Sequence, residues 1–155
     1  MPASLTVTAG VTVAAEPQHV WNLAVDWAAQ REWIVGTRAS GGHGLGASVT
    51  ARTAIGPVGF TDTMLITEWD PPRRCVVSHT GAIVRGEGVF EVHARGGRTE
   101  FRWTERILLP EPLLAVVPHA ARPAFTVLAY AVIAPLARLG LGYSLTRFGR
   151  LASAR

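Results

Sequence analysis

The sequence predicts an α+β fold: one strand, two short helices, a long antiparallel meander and a C-terminal helix laid against it. Three observations carry this expectation. Apolar and polar residues alternate at the N-terminus and again between residues 36 and 109, the period of half-buried strands. Glycine and proline interrupt the middle stretch at short intervals, as turns require. From Phe125 onward the apolar residues recur at spacings of three and four, the helical period.

The chain opens on a strand. In "LTVTAGVTV" Leu5, Val7, Ala9, Val11 and Val13 share one face, and Thr6, Thr8, Gly10 and Thr12 the other. Glu16-Pro17 then suits a helix start, because proline is tolerated in the first turn. Val20, Leu23, Ala24 and Trp27 follow at helical spacing, and "DWAAQREW" predicts a second short helix that brings Trp27 and Trp33 near the start of the sheet. The meander reads as "ASVTARTAI" after "GGHGLG", "FTDTMLITEW" after "GPVG", "CVVSHT" after "DPPRR", and "EGVFEVHA" paired with "TEFRWTERILL". Gly96-Gly97 between the last two suits a two-residue hairpin with positive φ at both positions. With the first strand this makes six or seven strands, one face solvated and the other covered.

The cover must come from the C-terminus. Pro112, Pro118 and Pro123 each fit a helix start better than an interior, and Pro135 should kink or restart the helix. The run "PAFTVLAYAVIAPLARLGLG" (residues 123–142) is apolar on nearly every helical face, as in a helix covered on more than one side. Its charge-free part, residues 123–137, is about 22 Å long as a helix, short of the roughly 30 Å of a bilayer core.

Composition bounds the function. A chain of 155 residues fits one domain, 1–155, and 48% hydrophobic with 17% charged residues points to an internal cavity or a membrane-facing surface. Residues 1–111 hold ten arginines against eleven acids, whereas residues 112–155 hold five arginines and no acid. Those five are spread among apolar residues, so the pattern argues against nucleic acid and fits a peripheral contact with anionic lipid. The single cysteine, Cys75, excludes an internal disulfide, and the N-terminus lacks the basic and continuously apolar regions of a signal peptide. The expected location is the cytoplasm, with the inner membrane surface as the alternative. An exposed apolar segment would also favour a homodimer.

Several stretches resemble the START-like superfamily, in particular its polyketide cyclase/dehydrase and lipid-transport group with the helix-grip fold. "VTVAAEPQHVWNLAVDWAAQREW" is similar to that family's opening, with Pro17, Val20, Trp21 and Trp33 matching its proline, helix face and closing tryptophan. "ITEWDPPRRCVV" resembles its strand, Pro-Pro turn and strand, "GGRTEFRWTE" its last hairpin, and "SLTRFGRL" the close of its final helix. The resemblance covers almost the whole chain. It implies a curved antiparallel sheet wrapped around the long C-terminal helix, with a hydrophobic cavity between them.

Motifs for other chemistry are absent or out of context. Gly42-His43-Gly44-Leu45-Gly46-Ala47 fits G-x-G-x-x-A, and Asp62 lies where a ribose-binding acid would be, but a strand rather than a helix follows. It reads as a glycine-rich hairpin. The five histidines show no metal-ligand spacing, and no G-x-S-x-G or H-E-x-x-H occurs. No metal and no cofactor is expected.

The remaining candidates are polar residues on inward strand faces. Phe101, Trp103, Glu105 and Ile107 share a face, so Glu105 points inward if the aromatics do. A carboxylate in an apolar cavity can serve as an acid or base. His79, alternating with Val77 and Cys75, is the second candidate catalytic residue. Trp33, Met64, Phe90, Phe101, Trp103, Tyr130 and Tyr143 are the expected ligand-binding wall. The expected function is binding or carriage of a small hydrophobic molecule, a lipid, isoprenoid or polyketide-like compound. The alternatives are a polyketide cyclase or aromatase using Glu105 or His79, and a membrane-surface protein standing on residues 112–155.

Overall fold

A computed structural model describes residues 4–155. The N-terminal alternation forms β1 (Ser4–Val13), with Val7 and Val13 buried and the threonines between them exposed. Then come α1 (Pro17–Ala24), with its proline in the first turn, a single 3-10 turn (Trp27–Ala29), and α2 (Gln30–Trp33). Asp26 starts the 3-10 turn by accepting the Ala29 N–H at 3.1 Å. These short pieces carry the chain from β1 across to the opposite edge of the sheet.

There β2 (Thr37–Gly41) begins a meander through β3 (Ser48–Ile55), β4 (Val58–Asp70), β5 (Arg74–His79), β6 (Arg85–Arg95) and β7 (Arg98–Leu108). The seven strands are antiparallel in the order β1-β7-β6-β5-β4-β3-β2. Gly96 and Gly97 both have positive φ, 55° and 80°, as the two-residue hairpin needs. Sequence reading missed β2, because "TRASG" is short and carries few strand formers. It also started β4 two residues late, since Gly56-Pro57 alone makes the turn.

The concave face receives the C-terminal helix. α3 (Glu111–Ala115) and a 3-10 turn (His119–Ala121) lead into α4 (Arg122–Ala154), a helix of 33 residues. Pro112 and Pro123 sit in first helical turns and Pro118 precedes the 3-10 turn, as expected. Pro135 does not restart the helix, which continues through it. The carbonyl that loses its partner belongs to Ala131, and both residues are exposed, so water can satisfy it.

α4 divides in function along its length. Leu141, Ser144, Leu145, Phe148 and Ala152 are buried against the sheet, whereas from residue 122 to 140 only Ala134 is buried. The core centres on Trp33, fully enclosed, with Phe90, Phe101, Trp103 and Phe148 packed around its ring at centroid distances of 5.0–6.0 Å. His19 ties α1 to the end of this packing through a ring nitrogen 3.1 Å from the Ala152 carbonyl.

Candidate functional site

Between the sheet and the C-terminal half of α4 lies a cavity of about 480 Å³. Its wall is mostly apolar, with Val49, Met64, Val77, Phe90, Trp103 and Leu141 among its residues. One patch of that wall is not. Asp62 on β4, His79 on β5 and Glu105 on β7 meet there, their side chains 9%, 7% and 15% exposed.

Strand register explains how they meet. Asp62, Met64 and Ile66 share one face of β4, Cys75, Val77 and His79 one face of β5, and Phe101, Trp103 and Glu105 one face of β7. β6 separates β5 from β7, which places them roughly 10 Å apart. The gap can be bridged because β6 carries Gly86 opposite His79 and Gly88 opposite Glu105. A Cβ on Gly88 would stand 3.0 Å from Glu105 Oε1, and one on Gly86 would stand 1.8 Å from the Arg106 carbonyl oxygen. With no side chain on Gly88, Glu105 reaches His79 over the strand between them, while Gly86, at a φ of 122°, is required by its close approach to the backbone of β7.

The imidazole is held at both nitrogens. Nδ1 is 2.6 Å from Asp62 Oδ2 and Nε2 is 3.1 Å from Glu105 Oε2. The other oxygen of Glu105 accepts the Trp103 indole N–H at 2.7 Å. Burial pulls the imidazole pKa down, but the hydrogen bonds to Asp62 and Glu105 and the two carboxylate charges outweigh it, raising His79 from 6.5 to about 10. At neutral pH both ring nitrogens therefore donate. The trio is one imidazolium between two carboxylates, with one negative charge in excess.

Cys75 lines the same cavity, and burial, with the Glu68 charge added, pushes its thiol up to about 12. That makes it a small apolar wall residue rather than a nucleophile. Among the described residues no group of three or more His, Cys, Asp or Glu is placed to hold a metal ion.

Of the expected site residues, Glu105, His79, Met64, Phe90 and Trp103 line the cavity. Trp33 and Phe101 do not, being fully enclosed in the aromatic cluster behind the wall. Tyr130 and Tyr143 do not either: Tyr130 belongs to the part of α4 beyond the cavity, and Tyr143 is 59% exposed on the opposite side of the helix from Leu141 and Leu145. Sequence reading missed Asp62, noticed only as the acid of a failed dinucleotide pattern. Its alternation with Met64 and Ile66 was the available signal. It also missed Gly140, Leu141 and Ser144, by which α4 enters the wall.

The loop of the glycine-rich pattern joins β2 to β3 and opens no helix. His43 is stacked on Trp27 at 5.6 Å and its Nε2 lies 2.9 Å from the Val25 carbonyl oxygen, while Trp27 donates its indole N–H to the Gly42 carbonyl. These contacts anchor the loop to the segment between α1 and α2.

Comparison with solved structures agrees with this architecture. The protein TTHA0849 from Thermus thermophilus is 17% identical, with a TM-score of 0.69 over 97% of this chain and 98% of that one. The polyketide-cyclase-like protein Cgl2372 from Corynebacterium glutamicum is 18% identical, with a TM-score of 0.64 over 97% and 93%. The di-domain ARO/CYC protein BexL of the BE-7585A biosynthetic pathway is 17% identical, with a TM-score of 0.66. There 98% of this chain aligns with 51% of that protein, so the chain spans about half its length. At these identities the likeness is one of fold. No curated protein sequence matches the chain. The sequence profile of the polyketide cyclase/dehydrase and lipid transport family matches residues 4–137. With that match over most of its length, on an open seven-stranded sheet packed against a C-terminal helix, the chain belongs to the polyketide cyclase/dehydrase and lipid transport family.

Proposed function

We propose that the protein binds and carries a small, mainly apolar molecule that bears one hydrogen-bond donor, a hydroxyl or an amine. The observation that carries this reading is the cavity of about 480 Å³, mostly apolar, with its charged groups Asp62, His79 and Glu105 gathered in one patch of its wall. A volume of roughly 300–1,000 Å³ suits a compact ligand, and apolar burial at about 25 cal/mol per Å² supplies the affinity. The polar patch sets the orientation. With His79 donating at both nitrogens, the groups left to meet a ligand are carboxylate oxygens, which accept hydrogen bonds and carry excess negative charge. Asp62 Oδ1, which has no hydrogen-bond partner among the described residues, and Glu105, the most exposed of the three, are the acceptors that meet it.

Native mass spectrometry of protein purified without detergent, with denaturing extraction of anything released, tests this directly. A stoichiometric apolar passenger carrying a hydroxyl or amine is expected. An empty protein that also fails to take up pyrene-labelled fatty alcohols or amines would overturn the reading.

A second reading, a cyclase acting on a poly-β-ketone chain, is favoured by the same carboxylate. In that case Glu105 takes the proton, and His79, which keeps its own proton to about 10, positions it. Formation of a cyclised product by the native protein, lost in Glu105→Gln while binding is retained, would select this reading over carriage.

A further inference from the structure

The long helix carries a feature that the cavity does not use. Leu128, Val132, Leu136, Leu139 and Tyr143 are 55–71% exposed. At about 100° per residue they fall within an arc of about 80° on α4, a continuous apolar stripe about 22 Å long. It faces away from the core: Leu141, Leu145, Phe148 and Ala152 occupy the opposite side of the helix. Val127, 71% exposed on another face of α4, and Leu113 and Val116, 43% and 79% exposed in and just after α3, are further apolar residues left uncovered. A monomer in water rarely leaves so much contiguous apolar surface uncovered.

Charge identifies what covers it. Arg147 and Arg150 continue the same helical face beyond Tyr143, and Arg138 lies about 120° round the helix from it. None of these three makes an ion pair among the described residues. Residues 112–155 contain five arginines and no acid. A second copy packed stripe to stripe would bring cations together, whereas anionic lipid headgroups complement them. The segment His119–Ala154 is also long and apolar enough to cross a membrane by length and composition. Its last fourteen residues, however, pack one face into the core, so the helix does not cross the bilayer and only its preceding part and its outer face can meet lipid.

We infer that the exposed face of α4 docks on an anionic bilayer surface, burying the stripe from Leu128 to Tyr143 among the acyl chains while Arg147 and Arg150 contact phosphate headgroups. Gly140, Leu141 and Ser144 of the same helix line the cavity, so a docked helix holds the cavity wall within one or two turns of the lipid. The inference does not depend on the cavity being occupied. Failure of the passenger experiment would leave vesicle binding unchanged, and failure of vesicle binding would leave the passenger.

Flotation with phosphatidylcholine vesicles, with and without phosphatidylglycerol, is the test. Binding to the anionic vesicles alone is expected, weakening as salt rises. Val132→Asp with Leu136→Asp should reduce it about tenfold or more, and Arg147→Gln with Arg150→Gln about thirtyfold. In a second measurement, which does not depend on how the charged variants fold, Val132→Cys is labelled with an environment-sensitive fluorophore. Cys75 is buried and does not compete for the label. A blue shift on anionic vesicles is expected. Absence of binding at low salt, binding indifferent to the stripe variants, or no shift of the label would each overturn the inference. So would a self-association abolished by the stripe variants in a protein that ignores vesicles, which would assign the stripe to a second copy.

Discussion

His79 is the residue on which the site turns, since it is the one cation between two largely buried carboxylates. His79→Gln would remove that charge and leave Asp62 and Glu105 facing each other, at a cost of about 3–5 kcal/mol in urea denaturation. The pH dependence has a definite sign. Because the folded pKa lies above the unfolded one, the stabilisation is complete below about 6.5 and is lost as pH rises through about 10. At about 1.4 kcal/mol per unit the full shift is worth up to about 5 kcal/mol. Thermal melts should therefore show Tm falling across that range in the native protein and a flatter profile in His79→Gln. Gly88 controls the same contact through space alone. Gly88→Ala places a Cβ 3.0 Å from Glu105 Oε1 and 3.1 Å from Val77 Cγ2, so Glu105 must give way. NMR titration of the His79 ring should then report a pKa lowered by about one unit or more.

Among the elements, α4 behaves as two segments joined without a break. Residues 141–154 supply Leu145 and Phe148 to the aromatic core, while residues 122–140 bury only Ala134. Amide hydrogen exchange should separate them, with protection near the global limit around residues 145–152 and much faster exchange around residues 124–133. On the sheet side of the same packing, α2 contributes Trp33, which no other element replaces. Trp33→Ala would open a cavity among Phe90, Phe101, Trp103 and Phe148 and cost about 3–5 kcal/mol in equilibrium unfolding. α2 is only four residues long, so its position depends on this one side chain more than on its backbone.

For the molecule as a whole, the cavity couples ligand binding to stability. A ligand that binds only the folded state at a hundred times its dissociation constant adds about 2.7 kcal/mol. An apolar alcohol or amine that fills the cavity should therefore raise Tm by several degrees. Ala51→Trp, which places a large ring on the cavity wall, should abolish that increase while leaving the unliganded protein folded. Ligand binding and the apolar stripe lie on opposite sides of α4, so the stripe variants should leave this ligand-dependent shift intact.

Much of this organisation is written locally. The alternation in β1, the proline at the start of α1, the Gly96-Gly97 hairpin and the inward face carrying Trp103 and Glu105 follow from neighbouring residues, because strand and helix periods and turn stereochemistry act over a few positions. Proximity between strands does not. That Asp62, His79 and Glu105 converge depends on the register of β4, β5, β6 and β7, which hydrophobic pattern and turns set jointly, and on two glycines whose missing side chains matter only once the strands are paired. The uniform apolarity of residues 123–142 predicted a covered helix but could not say where the cover ends. Only the tertiary structure decided that, because the sheet is long enough to hold α4 from about Leu141 onward and leaves the turns before it to find another partner.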